Sequence, residues 1–164
     1  MKVRDLAIIS FCAVLLFVMD ELLQSLPNIQ LSVFLLILFS KKCSFRSTVL
    51  IIIVYVLMDS FFMGAVNPLY VSFMMLGWMN IPVLLNTVFR NIEDEFKLAL
   101  IAILCALIYC WTFIIPNVII LKMNFFRYMM SDLPFEALLA FSSFLSTLWL
   151  YSPCSKAWDA IFRR

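Results

Sequence analysis

From Leu98 to Leu121 the chain runs LALIAILCALIYCWTFIIPNVIIL without a charged side chain. As a helix this run would be about 36 Å long at ~1.5 Å per residue, enough to cross a hydrocarbon core about 30 Å thick. In water, a helix that is apolar all round has to be buried on every side. The rest of the chain cannot supply that cover, because 65% of its 164 residues are hydrophobic and only 13% are charged. Soluble domains have roughly 45–50% apolar and 25% charged residues. Lipid is therefore the solvent for most of this chain, and the expected fold class is an all-α membrane protein.

Polar punctuation divides the chain into six apolar spans, at about 6–23, 27–39, 48–66, 69–89, 98–121 and 133–151. Pro27 suits the first turn of the second span. Pro82 is expected to bend the fourth, Pro116 to break the fifth, and Pro153 to follow the end of the sixth. The second span reaches only about 20 Å, so it either crosses a thinned zone or is shielded by neighbouring helices. The basic start and long apolar run at the N-terminus are followed by acids rather than by a small-residue cleavage site, so this run is read as a retained first span. No internal repeat or linker is evident, and residues 1–164 form one polytopic domain.

Charge sorts the loops. If all six spans cross and the N-terminus is inside, Lys2, Arg4, Lys41, Lys42, Arg46, Arg90, Lys97, Lys156, Arg163 and Arg164 fall inside, and only Lys122 and Arg127 fall outside. That is a strong positive-inside bias, and it predicts a compact six-helix bundle with both termini cytoplasmic. The inner acids, Asp5, Glu93, Asp94, Glu95 and Asp159, sit among bases and read as solvated loop charges.

The outer acids are Asp20, Glu21, Asp59, Asp132 and Glu136. Asp59 lies about 18 Å into its span, where a carboxylate is costly unless it faces protein or a wet cavity. Tyr55, one turn earlier, is placed to donate to it. Glu136 begins a small, polar helix face that continues through Ala140, Ser143 and Thr147, opposite Leu138, Phe141, Leu145 and Leu148. That face should pack inward. Glu136 then serves either the mouth of the bundle or the positive N-terminus of its own helix. Gln24, Asn28, Tyr70, Trp111 and Asn80 add polar or aromatic groups to the same half of the bundle or to its middle. An apolar pocket with a few placed polar groups is how a small-molecule site is built. The candidate substrate-binding set is thus Glu136, Asp59, Tyr70, Trp111, Asn28, Gln24 and Asn80. Five outer acids against two outer bases favour a neutral or cationic solute.

Several chemistries have no residues to carry them. The chain has no histidine, so His-based acid–base work and His-dependent zinc sites are out. Five scattered cysteines (Cys12, Cys43, Cys105, Cys110, Cys154) form no CxxC and read as small apolar helix residues. With only Gly64 and Gly77, no phosphate-cradling loop exists. There is no basic tail or aromatic–basic interleave for nucleic acid. No metal, cofactor or enzymatic activity is expected.

The length, the six short spans, and the segments LPNIQL (26–31), DSFFMG (59–64) and DLPFEALLAFSSFLSTLWLYSP (132–153) resemble the substrate-binding S component of an energy-coupling factor (ECF) type vitamin transporter, in a subgroup carrying LPN-x-x-L and LPFE segments. The resemblance implies a subunit in the bacterial cytoplasmic membrane that captures a vitamin-like molecule from outside, with the loop between spans one and two as a gate. It also implies a transmembrane coupling subunit and two cytoplasmic ATPase subunits as partners. S components commonly dock on the coupling subunit through small residues four apart in span one. Those positions here are Ser10 and Val14, while Ala7, Ser10 and Ala13 offer a small stripe at three-residue spacing. The alternative family is the MreD-type cell-shape scaffold, with five or six spans and no small-molecule substrate.

Overall fold

The computed structural model describes residues 3–26, 28–64, 67–122 and 124–162. It is all-helical, with α1 Val3–Leu23, α2 Ser32–Lys42, α3 Phe45–Phe62, α4 Pro68–Asn86, α5 Glu95–Leu121 and α6 Phe125–Phe162. Every helix but α2 is long and apolar enough to cross a membrane. The exposed surface carries large apolar side chains along these five, including Phe11, Val18, Leu57, Leu76, Leu104, Ile115 and Phe141. An apolar surface of that extent is consistent with a multi-pass membrane protein.

The 11-residue α2 is the exception, and it organises the rest. It rises only about 16 Å. Every residue from Ser32 to Ser40 is buried, so its neighbours, not lipid, surround it. This is the shielded alternative anticipated for a short span. The helix starts at Ser32 rather than at 27; Pro27 itself lies outside the described residues. Asn28 in a left-handed conformation (φ 53°) turns the chain before Ser32. The five long helices pack side by side in the order α1, α3, α4, α5, α6, and α2 touches all of them.

Local signals set the helix starts. The Ser44 hydroxyl accepts from the Ser47 amide (3.2 Å), Asn67 accepts from Leu69 (3.0 Å) ahead of Pro68, and Asp94 accepts from Lys97 (2.9 Å). The helix ends are less obedient to proline. α5 continues through Pro116 to Leu121, and α6 continues through Pro134 and Pro153 to Phe162, so neither the expected break nor the expected stop occurs. A proline costs one hydrogen bond and about 3 kcal/mol in a helix interior. At Pro116, deep in an apolar run, unwinding a turn in lipid would strand several backbone groups at several kcal/mol each, so the helix persists; past Pro153 the helix runs on through polar residues to Asp159, which pairs with Lys42. α4 keeps its helix through Pro82 and ends at Asn86, short of 89, where Phe89 N–H turns back to Leu84 O at 2.9 Å. α3 ends at Phe62; Val66, the expected end, lies outside the described residues.

Contacts sort the helix ends into two groups, so successive helices run in alternating directions. At one end Lys41 donates to the carbonyls of Phe89 (2.9 Å) and Arg90 (3.1 Å), Lys42 pairs with Asp159 at 2.7 Å, and Arg4 donates to the Phe162 carbonyl. The two ends of the described chain therefore meet here, at the end of the bundle that holds Lys41 and Lys42. Asp20, Asp59 and the N-terminus of α6 lie at the other. The Lys42–Asp159 pair is partly shielded and joins α2 to α6. A double-mutant cycle of Lys42→Met and Asp159→Asn, read by thermal unfolding in detergent, should return a coupling of about 1 kcal/mol. A coupling near zero would mean the pair does not hold these helices.

Candidate functional site

Two adjoining recesses open at the end opposite Lys42. The larger, about 470 Å³, lies between α1, α3, α4 and α5 and is walled by Tyr70, Val71, Met74, Tyr109 and Phe113. The smaller, about 230 Å³, lies under the α1–α2 connection and is lined by Glu21, Gln24, Leu26 and Asn28. Asp20, Gln30, Asp59 and Met63 line both. The combined space is in the range of small-molecule sites.

The two carboxylates at this junction have different surroundings. Asp20, near the C-terminus of α1, accepts from the Ser32 hydroxyl at 2.8 Å through one oxygen and from the Tyr55 hydroxyl through the other. It pins α1 to α2 and α3. Tyr55 thus donates to Asp20, not to Asp59 as its spacing suggests. The spacing argument considered only the tyrosine's own helix, and the tertiary partner lies one helix away.

Asp59, near the C-terminus of α3, is only 7% exposed. No donor among the described residues reaches its carboxylate, while Asp20 and Glu21 act on it as like charges. Helix polarity adds to the demand, because a helix C-terminus carries partial negative charge. Among the described residues no basic side chain lines either recess. Gln30 Oε1 is also buried there without a partner.

Behind the larger recess stands a run of aromatic rings. Tyr70 stacks on Phe113 (centroids 6.3 Å apart), Phe113 packs on Tyr109 (5.0 Å), Tyr109 stacks on Trp78 (4.0 Å), and Trp78 meets Tyr55 edge-on (6.2 Å). Gly77 permits this wall: a Cβ there would stand 2.8 Å from Tyr109 Cδ2. Tyr70 is fixed further by its hydroxyl, which donates to Asn117 at 2.5 Å, and Asn117 in turn donates to Tyr128 at 2.6 Å.

Of the expected binding set, Asp59, Tyr70, Gln24 and Asn28 come together around these recesses. Glu136 and Trp111 do not join them. Glu136 is buried between α5 and α6, 3.4 Å from Trp111 Nε1, and Trp111 is 56% exposed on the outer surface. Glu136, Ser143 and Thr147 are all buried and Phe141 is exposed, as a two-faced α6 requires. Asn80 sits deeper and lines neither recess; its amide donates to the carbonyls of Gly77 and Cys105, joining α4 to α5. In the expected docking stripe, Ala7 and Ser10 are exposed but Ala13 is fully buried. Steps of three residues fall about 60° short of a full turn each time, so the stripe rotates into the core. Val14, one four-residue step from Ser10, is exposed instead.

Asp20, Gln30, Tyr109 and Phe113 were not in the expected set. Asp20 carried a signal, a carboxylate at the end of an apolar run, but Tyr109 and Phe113 had none in a chain that is 16% aromatic. Comparison with family models, with curated proteins and with solved structures finds no match to this chain.

Proposed function

We propose that this protein is a membrane-embedded substrate-binding subunit that captures a vitamin-like small molecule from outside the cell. In this reading all six helices cross the bacterial cytoplasmic membrane, α2 within the shelter of the other five, with both termini in the cytoplasm. The observation that carries it is Asp59: a carboxylate on a buried residue, with no donor among the described residues, that shares a cavity with aromatic walls at the end of the bundle opposite Lys41 and Lys42. An unpaired charge in such a place is costly, and a site awaiting a solute accounts for the cost. The α1–α2 connection, with Gln24 and Asn28 over the smaller recess, is positioned to gate entry. The resemblance to ECF-type S components supplies the division of labour. This chain binds, a transmembrane coupling subunit holds it, and two cytoplasmic ATPases drive release.

Purification from native membranes in mild detergent should retain a small solute by native mass spectrometry, together with a membrane subunit and two ATPases. Recovery of cell-wall morphogenetic proteins with no solute would instead establish the MreD-type scaffold reading. In intact cells, with the five native cysteines replaced by alanine, a Gln24→Cys variant should react with a membrane-impermeant maleimide, and Arg90→Cys should react only after permeabilisation. The reverse pattern would place the recess on the cytoplasmic side and end the capture reading.

A further inference from the structure

We propose that the recess at Asp59 selects an organic cation, an ammonium-type nitrogen carried on a compact apolar or aromatic body. The inference rests on the solute-binding reading above and adds the charge and character of the solute.

The charge follows from what is missing. Asp59 is nine-tenths buried and has no donor among the described residues. Asp20, beside it in the same lining, has both oxygens committed to the hydroxyls of Ser32 and Tyr55. Glu21 adds a third carboxylate to the mouth, and among the described residues no lysine or arginine lines either recess. An anion entering this space would meet only like charge. A neutral solute would displace water from the Asp59 carboxylate without supplying a countercharge.

The body follows from the walls. Around the carboxylate the lining of the larger recess includes Tyr70, Tyr109, Phe113 and Met74. Aromatic faces attract a desolvated organic cation through their quadrupoles, and the thioether adapts to an apolar outline. A hard inorganic cation needs several oxygen ligands at fixed distance. Among the described residues no group of three or more His, Cys, Asp or Glu side chains is arranged to hold a metal ion. One free carboxylate set against aromatic rings is the complement of an ammonium with an apolar skirt.

The test uses the full-length protein in nanodiscs and three small probes of similar ring size. These are benzyltrimethylammonium (cation), benzyl alcohol (neutral) and benzoate (anion), titrated calorimetrically at constant ionic strength. Benzyltrimethylammonium should bind and the other two should not. Asp59→Asn should weaken its binding at least tenfold without lowering Tm. Phe113→Leu, which keeps the charge, should weaken it several-fold and guards against a folding defect in the first variant.

Equal binding of benzyl alcohol or benzoate, indifference to Asp59→Asn, or displacement of the cation by millimolar sodium would overturn the proposal. So would the absence of binding by any probe. A neutral or anionic solute retained in native mass spectrometry would remove the cation assignment and leave the solute-binding reading standing. No retained solute and no probe binding would remove both.

Discussion

Asp20→Ala should lower the stability of the bundle by about 3 kcal/mol, whereas Asp59→Asn should leave it unchanged or raise it. Asp20 accepts two hydrogen bonds, from Ser32 on α2 and Tyr55 on α3. Hydrogen bonds to a charged group are worth about 1.5–3 kcal/mol each. Removing the acceptor also leaves the Tyr55 hydroxyl with no partner in a fully buried position, and that desolvation is not recovered. Asp59 has nothing to lose of this kind, since no donor among the described residues reaches it; its amide isostere removes a charge that these residues do not neutralise. Two carboxylates lining one cavity thus divide into a structural acid and a free one. Denaturation in mixed micelles, followed by helical circular dichroism, reads both variants on one scale. If Asp59→Asn proves as destabilising as Asp20→Ala, then Asp59 is held by the fold and the case for a solute there fails.

The same contrast shows how far the sequence alone could go. A single carboxylate in an apolar run marks Asp59 without any structure, because lipid tolerates it only against protein or water. Nothing local marks the role of Asp20, since its partners lie 12 and 35 residues away. The five long helices were legible because run length against bilayer thickness is a one-dimensional test. The limits of α2 were not. A segment that is apolar in every direction has no periodicity to show where it starts, and the left-handed turn at Asn28 decides that instead. The expectation at Pro116 failed for a physical reason: rules of helix termination drawn from water assume that freed backbone groups find water. The one at Pro153 failed because α6 continues to a tertiary contact, the Lys42–Asp159 pair, whose partner lies more than a hundred residues away in sequence. The face of α6 read correctly through Glu136, Ser143 and Thr147, because small and polar residues recur there at true helical steps. The stripe through Ala13 misread because its three-residue step does not follow the helix.

Trp78→Ala should be the most damaging truncation in the core, costing about 3–4 kcal/mol. Trp78 is fully buried, stacked on Tyr109 and edge-on to Tyr55, so it fills the space between α3, α4 and α5 directly behind the cavity wall. In a bilayer the loss is not mainly one of transfer from water, because lipid is as apolar as the core. What is lost is the dispersion contact of a large ring with its neighbours, and a void replaces it. Trp78→Phe separates the contributions. It keeps most of the ring and deletes an indole N–H that is buried without a partner, so it should cost less than about 2 kcal/mol. Gly77→Ala perturbs the same wall from the opposite sense: its Cβ would press on the Tyr109 ring at 2.8 Å, and the stacked Trp78 leaves that ring little room to retreat. Overpacking of this kind costs about 1–3 kcal/mol. Trp78→Ala and Gly77→Ala both displace Tyr109, the first by removing its support and the second by pushing it, so both should weaken binding of benzyltrimethylammonium as well as stability. A Trp78→Ala protein that melts within a degree or two of wild type would show that the ring stack does not hold α3, α4 and α5 together, and the aromatic wall of the recess would lose its physical basis.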